Sequence, residues 1–297
     1  MAGIRTPTAL SIAGSDSGGG AGIQADLKAF ARCGVHGTSA ITAITAQNTR
    51  GVSAIQAVPP EMILAQVRAV LADIRIDAVK VGMLGSVQST LAVAQALSEL
   101  PAGTPVVVDP VMLAESGARL LEADAQHSLV EQILPRASVL TPNLPEARAL
   151  VGAVQREEHA PAPDSEGLEA IETAEADEAI ALARALLALG PRAVVLTGGH
   201  RARVVDLFLD RDLPAPVELE GERHPDGAAH GSGCTHSSLL AAQLALGYEP
   251  LAAARIARSL SGDAVRDGLR DVGAGPGPVD VLGLARIREQ DDRHRPC

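Results

Sequence analysis

The chain has 297 residues, a net charge of −11, and a composition that is 46% hydrophobic but only 1% aromatic. That length can bury a full core as one large α/β domain or two small ones, and the core must be aliphatic. The acidity argues against a nucleic-acid surface, which needs clustered Lys and Arg to neutralise phosphates. Three cysteines, Cys33, Cys234 and Cys297, lack CxxC spacing and suit neither a disulfide framework nor a zinc site, so a reducing cytoplasm is expected. No apolar run reaches the roughly 20 residues of a membrane span, and Asp16 interrupts the first apolar stretch too early for a signal peptide.

Along the chain, β-branched apolar runs at Ala9–Ala13, Ser39–Ala46, Ala78–Val81, Val106–Asp109, Ser138–Thr141, Ala193–Thr197 and Val204–Leu209 read as strands. Between them, Gln24–Cys33, Glu61–Asp73, Val87–Leu100, Ala125–Leu134, Pro145–Val151 and Ala176–Leu189 carry helical spacing, as does the later apolar run Leu239–Leu246. The alternation predicts an α/β fold with a parallel sheet covered on both faces. With no repeat and no Pro/Gly linker, residues 1–286 read as a single domain. Residues 155–176, rich in Pro, Glu and Asp, read as a solvated acidic surface loop, and 287–297 as a polar tail.

The first strand runs into Gly14-Ser15-Asp16-Ser17-Gly18-Gly19-Gly20-Ala21-Gly22. Gly20 to Ala25 satisfies the variant dinucleotide fingerprint G-x-G-x-x-A, which requires an acidic ribose anchor about 20 residues on. None occurs between Asp26 and Glu61, which disfavours a nicotinamide or flavin enzyme. A P-loop fails because Lys28 and Lys80 follow no G-x-x-x-x-G frame. What remains is either a flexible turn or a backbone that approaches a small substrate closely, with Asp16 or Asp26 as polar contact.

Ligands of open parallel sheets bind beyond the carboxyl ends of the strands. There lie Gln47-Asn48-Thr49, Gly82-Met83-Leu84, Asp109-Pro110-Val111-Met112, Thr141-Pro142-Asn143-Leu144-Pro145-Glu146 and Thr197-Gly198-Gly199-His200. Asp109, Asn143 and Glu146 make an oxygen-donor set suited to Mg²⁺ with nucleotide phosphates, although Asn143 is also a natural cap for the helix that Pro145 opens.

His230-Gly231-Ser232-Gly233-Cys234-Thr235 precedes the apolar run Leu239–Leu246. Two glycines and a helix start present amide N–H groups to one spot, an anion nest. A thiol there is expected to ionise more readily than a free cysteine. Chemistry on a phosphoryl group is one reading; a glycine-capped helix entry with a small buried Cys is the other.

These segments, in this order from about Ala9 to Asp280, resemble the hydroxymethylpyrimidine/phosphomethylpyrimidine kinases of the ribokinase-like superfamily. The resemblance implies a three-layer α/β/α sandwich around a mostly parallel sheet. It implies ATP-dependent phosphorylation of 4-amino-5-hydroxymethyl-2-methylpyrimidine and then of its monophosphate, giving the diphosphate used for thiamine. It places Gly14, Asp26, Gln47, Met83 and Val111 around the pyrimidine. Asp109, Asn143, Glu146, Thr197 and Gly199 fall to Mg²⁺–ATP, with Asp109 and Glu146 on the metal. Gly231, Ser232, Gly233 and Cys234 become the catalytic anion hole, with Cys234 as general base. A cytoplasmic homodimer is implied, acting on a small molecule without nucleic acid or membrane.

Three features depart from the family pattern. Thr197 stands where Lys usually precedes Gly-Gly-His, leaving Arg201 or Arg203 as substitutes. Ala228-Ala229 replaces a polar pair, and residues 155–176 are longer than expected. The same machinery would serve a pyridoxal kinase or, stripped of activity, a pyrimidine-binding relative.

Overall fold

The computed structural model describes residues 5–114, 117–154, 168–198 and 204–287. Gly199, His200, Arg201, Arg203, Cys297 and most of the acidic segment lie outside that range. In order, the chain forms β1 (Thr8–Asp16), α1 (Gly22–Arg32), β2 (His36–Asn48), β3 (Gly51–Ala57), α2 (Pro60–Asp73), β4 (Ala78–Val81), α3 (Val87–Ser98) and β5 (Val106–Val108). It continues through α4 (Ala123–Ser128), β6 (Val139–Leu140), α5 (Leu144–Val154), α6 (Leu168–Ala188), β7 (Ala193–Leu196), β8 (Val204–Asp210), β9 (Val217–Gly221), α7 (Ser232–Ala245) and α8 (Pro250–Arg266). A π-helical turn at Leu129–Ile133 and a 3₁₀ turn at Leu134–Arg136 prolong α4.

The strands form one sheet in the order β3-β2-β1-β4-β5-β6-β7-β8-β9. Pairing is parallel from β2 through β7 and antiparallel where β3, β8 and β9 join the edges. Strand order reverses between β1 and β4, the crevice where open sheets bind ligands.

Both faces of the central strands are buried, and their alternation sorts side chains into two cores. Leu10, Ile12, Val79, Val81, Val106 and Val108 face one core, with α2, α3, α5 and α6. Ala9, Ala78 and Val107 face the other, with α1, α7 and α8. Ser11 and Lys80, adjacent partners in the β1–β4 register, are the polar members of the second face.

Some expectations are corrected. The sheet gains β3 and β9, and α8 adds a helix not anticipated. The segment read as loop to Ala176 is helical from Leu168 onward, because its acidic residues share an Ala/Ile/Leu-bearing stretch with strong helix propensity. No helix among the described residues is long and apolar enough to cross a membrane.

Candidate active site

A cavity of about 640 Å³ opens at the carboxyl ends of β1, β4, β5 and β6, and the start of α7 closes it. Its walls bring together Gly14, Gln47, Met83 and Val111 with Asp109, Asn143, Glu146 and Thr197, and with Gly231 to Cys234. These residues run from position 14 to 234, and the sheet together with the start of α7 collects them.

The glycine loop after β1 is rigid for a visible reason. Asp16 is 2% exposed, and its carboxylate accepts N–H bonds from Gly18 (2.8 Å), Gly20 (3.0 Å) and Ala21 (2.8 Å). His230 Nε2 lies 3.2 Å from Asp16 Oδ2, tying this loop to the one before α7. Burial would raise the Asp16 pKa, but the His230 contact and the backbone donors hold it below the ordinary carboxylate value. The Asp16 carboxylate is therefore spent largely on building the loop.

At α7, Gly231 is the N-cap with φ of 79°, and a Cβ there would run into the Gly20 carbonyl, so only glycine lets the two loops meet. No side chain caps this end. The Ser232 N–H is used within the loop, on Ala229 O at 2.9 Å. The amides of Gly233 and Cys234 have no backbone acceptor among the described residues, so they carry the nest, and Ser232 contributes lining only.

The expectation for the thiol is overturned. Burial comes first and pushes Cys234 up to about 12; Lys80 and the Gly22 N–H pull the other way, while Asp109 and Asp26 add to the rise. Desolvation outweighs the nest and favours the thiol form of Cys234 in the ligand-free site.

Asp26 also departs from its expected place. It is 0% exposed and lies beneath the cavity, with its carboxylate on Lys80 Nζ (2.9 Å), Ser11 Oγ (2.6 Å) and Ser238 Oγ (2.7 Å). Lys80, equally inaccessible, also lies 3.7 Å from Asp109 Oδ2 and keeps its proton, since these carboxylates overcome its desolvation. Sequence reasoning gave Lys80 no role. The signal was legible nonetheless: a lysine inside Ala78-Val79-Lys80-Val81 must be paired if the strand is buried on both faces.

The opposite rim carries the oxygen donors. Asn143 Oδ1 accepts the Glu146 N–H and Glu146 Oε2 accepts the Asn143 N–H, both at 2.9 Å, a reciprocal cap on α5. Burial and then repulsion by Asp109 raise Glu146 to about 8, against N–H bonds from Asn143 and Met112. Asp109, 5% exposed, is itself raised, chiefly by burial, despite Lys80 and the Ser237 hydroxyl at 3.0 Å. Among the described residues no group of three or more His, Cys, Asp and Glu could hold a metal by itself.

Of the other expected contacts, Gln47 borders the cavity, with Thr45 Oγ1 3.1 Å from its Oε1. A Cβ at Gly14 would come within 2.9 Å of Met83 Sδ, which places these residues face to face. Thr197 bridges to Asn143, its N–H on Pro142 O at 2.9 Å. Gly199, with Arg201 and Arg203, lies outside the described residues.

A doubly wound sheet with an amide nest facing a carboxylate rim defines a small-molecule kinase of ribokinase-like architecture. The family described as phosphomethylpyrimidine kinase matches residues 16–280, and the chain belongs to it. A hydroxymethylpyrimidine/phosphomethylpyrimidine kinase of Rhizobium meliloti is 44% identical over 277 residues, covering 92% of this chain and 96% of that one. The phosphomethylpyrimidine kinase of Clostridium difficile 630 superposes with a TM-score of 0.69 at 36% identity, over 85% of this chain and 96% of its own. Pyridoxal kinase of Staphylococcus aureus, solved with AMP-PCP and pyridoxal, reaches a TM-score of 0.76 at 28% identity, over 95% and 96%. Backbone similarity does not separate the two activities, whereas sequence identity favours the pyrimidine kinases.

Proposed function

We propose that this kinase transfers a phosphoryl group from ATP to the hydroxymethyl oxygen of 4-amino-5-hydroxymethyl-2-methylpyrimidine, then a second to the monophosphate, supplying the diphosphate for thiamine assembly. The observation that carries this reading is the single cavity in which a small pocket (Gly14, Gln47, Met83, Val111) adjoins both the amide nest and the carboxylate rim. Gln47 would hydrogen-bond the ring or its amino group. Met83 and Val111 would hold its flat faces, as a chain with 1% aromatics must do with aliphatic and thioether surfaces.

Phosphoryl transfer asks mainly for alignment and for stabilisation of charge on the migrating group. The Gly233 and Cys234 amides supply that stabilisation at the positive end of α7. Lys80, locked by Asp26, holds a fixed positive charge under the same spot. Cys234, kept as a thiol, is a neutral wall beside the attacking oxygen rather than a waiting base.

The rim fits Mg²⁺. Two carboxylates whose charged forms are disfavoured by burial and by each other would gain from a divalent cation, and Mg²⁺ usually takes one or two carboxylates plus phosphate oxygens rather than an all-protein cage. Asp109 and Glu146 would hold it, with Asn143 orienting Glu146; when bound it would neutralise charge on the donor phosphates. We also place the enzyme in the cytoplasm, in keeping with free thiols at Cys33 and Cys234, and as a homodimer. The ribbon β2–β3 supports the latter, since β3 is a mostly exposed edge with Ile44 and Ile55 uncovered.

The direct test is incubation with the pyrimidine alcohol, ATP and Mg²⁺, following mono- and diphosphate products, beside a parallel reaction with pyridoxal. Faster turnover of pyridoxal, or no diphosphate, would overturn the assignment.

A further inference from the structure

Helix α7 buries a histidine that the reaction outlined above does not use. His236 is 5% exposed and borders the cavity, yet neither Nδ1 nor Nε2 has a hydrogen-bond partner among the described residues. An unpaired buried polar atom is costly, and native structures leave few without a partner, water or ligand.

Its nearest charged neighbour cannot serve. Asp206 Oδ2 is 3.8 Å from Nε2, beyond hydrogen-bond range. That carboxylate is already engaged: the Gly198 N–H donates to Oδ1 at 2.9 Å, and Arg258 Nε lies 3.3 Å from Oδ2. Asp206 thus fixes the chain just after β7 and leaves the imidazole edge unsatisfied.

The position is informative. Gly198 follows Thr197, which lines the cavity, and His236 lies one turn or less beyond the nest amides of Gly233 and Cys234. The ring therefore stands between the nest and the end of β7. Desolvation keeps it below its ordinary pKa, so one nitrogen is an N–H donor and the other an acceptor. A neutral N–H in a buried wall, with no acceptor among the described residues and beside an anion nest, matches an anionic oxygen.

We infer that His236 donates a hydrogen bond to a phosphoryl oxygen held in this cavity, adding a side-chain contact to the backbone nest. The inference rests on the kinase reading above. That oxygen belongs either to the nucleotide donor or to the monophosphate acceptor of the second transfer, and the two sources are separable.

The test compares wild type with His236→Phe, which keeps a ring but no nitrogen, and His236→Gln, which retains a donor. Mg²⁺–ATP affinity is measured calorimetrically on the full chain, and KM for the alcohol and for the monophosphate by turnover. Losing a hydrogen bond to a charged group weakens binding by about ten- to a hundredfold, and His236→Gln should recover most of it. A rise in the ATP dissociation constant assigns the contact to the donor; a rise in monophosphate KM alone assigns it to the acceptor; KM for the alcohol stays unchanged in both cases. Constants for ATP and monophosphate within twofold of wild type in His236→Phe would overturn the inference. If that variant does not fold, His236→Leu carries the same comparison. A wild-type chain that binds ATP but leaves the pyrimidine untouched would sink the substrate assignment while leaving the calorimetric arm intact.

Discussion

Asp16 and Glu146 are both carboxylates on the cavity, and both accept backbone N–H bonds at a loop preceding or opening a helix. They nevertheless settle in opposite protonation regimes. Asp16 meets His230 and several amides and lies below its ordinary pKa. Glu146 meets Asp109 and is raised to about 8. Burial disfavours charge at both positions, so the neighbour decides. Where the charge is satisfied internally, the carboxylate builds the loop. Where it is left in repulsion, the rim is ready for a cation from outside.

The hardest blow to this comparison should come from Asp109→Asn. If the rim works as a cation-binding pair, turnover at saturating Mg²⁺ falls by about a hundredfold or more, comparable to removing one electrostatic stabiliser of a transition state. The fold should survive, because Lys80 keeps its closer partner Asp26 and the repulsion on Glu146 is relieved. An active Asp109→Asn enzyme would leave the rim without a catalytic part. Asp16→Asn should do the reverse: it weakens several N–H acceptors and the His230 contact at once. About 1–3 kcal/mol of stability should be lost in urea unfolding, with a smaller change in turnover than Asp109→Asn causes. Equal losses of turnover in the two variants would erase the distinction between a loop-building and a cation-binding carboxylate.

The smallest effect is in the pH dependence of stability without ligands. Glu146 has a folded pKa of about 8 against an ordinary 4.5, so between these values the folded state binds more protons than the unfolded. Stability from this group is complete below about 4.5 and declines as pH rises through 8. For Asp16, whose folded pKa is depressed, the contribution is present above 3.8 and lost only in acid. Melting temperatures between pH 5 and pH 9 should therefore fall less in Glu146→Gln than in wild type. Mg²⁺ with nucleotide should also reduce the wild-type decline. A Glu146→Gln profile parallel to wild type would remove the proposed protonation.

Much of the fold was legible because strands buried on both faces must be apolar runs, and the chain marks them clearly. The elements that escaped are those lacking that signature. β3 and β9 sit at the edges, where exposed positions break the pattern, and the buried face of α8 is interrupted by Arg258 and Ser261. At the site, the residues that close the cavity were readable from glycine spacing and strand ends. Their ionisation was not. A cysteine at a helix start suggests a thiolate, but burial, with Asp109 and Asp26 nearby, determines the outcome, and those carboxylates arrive from distant segments. Asp26 likewise reads as a loop-side acid, and only the packing of α1 against β1 and α7 brings it to Lys80.

Local order alone settled the alternation of strands and helices, the glycine-lined turns and the set of polar residues at strand ends, because backbone sterics and side-chain period are properties of neighbours in the chain. Charge states belong to the assembled molecule. The proton on Cys234, the salt link of Lys80 with Asp26, the raised Glu146 and the unpartnered ring of His236 all depend on burial and on charges from distant segments. Desolvation and Coulomb forces act through space, and only the packed chain defines that space.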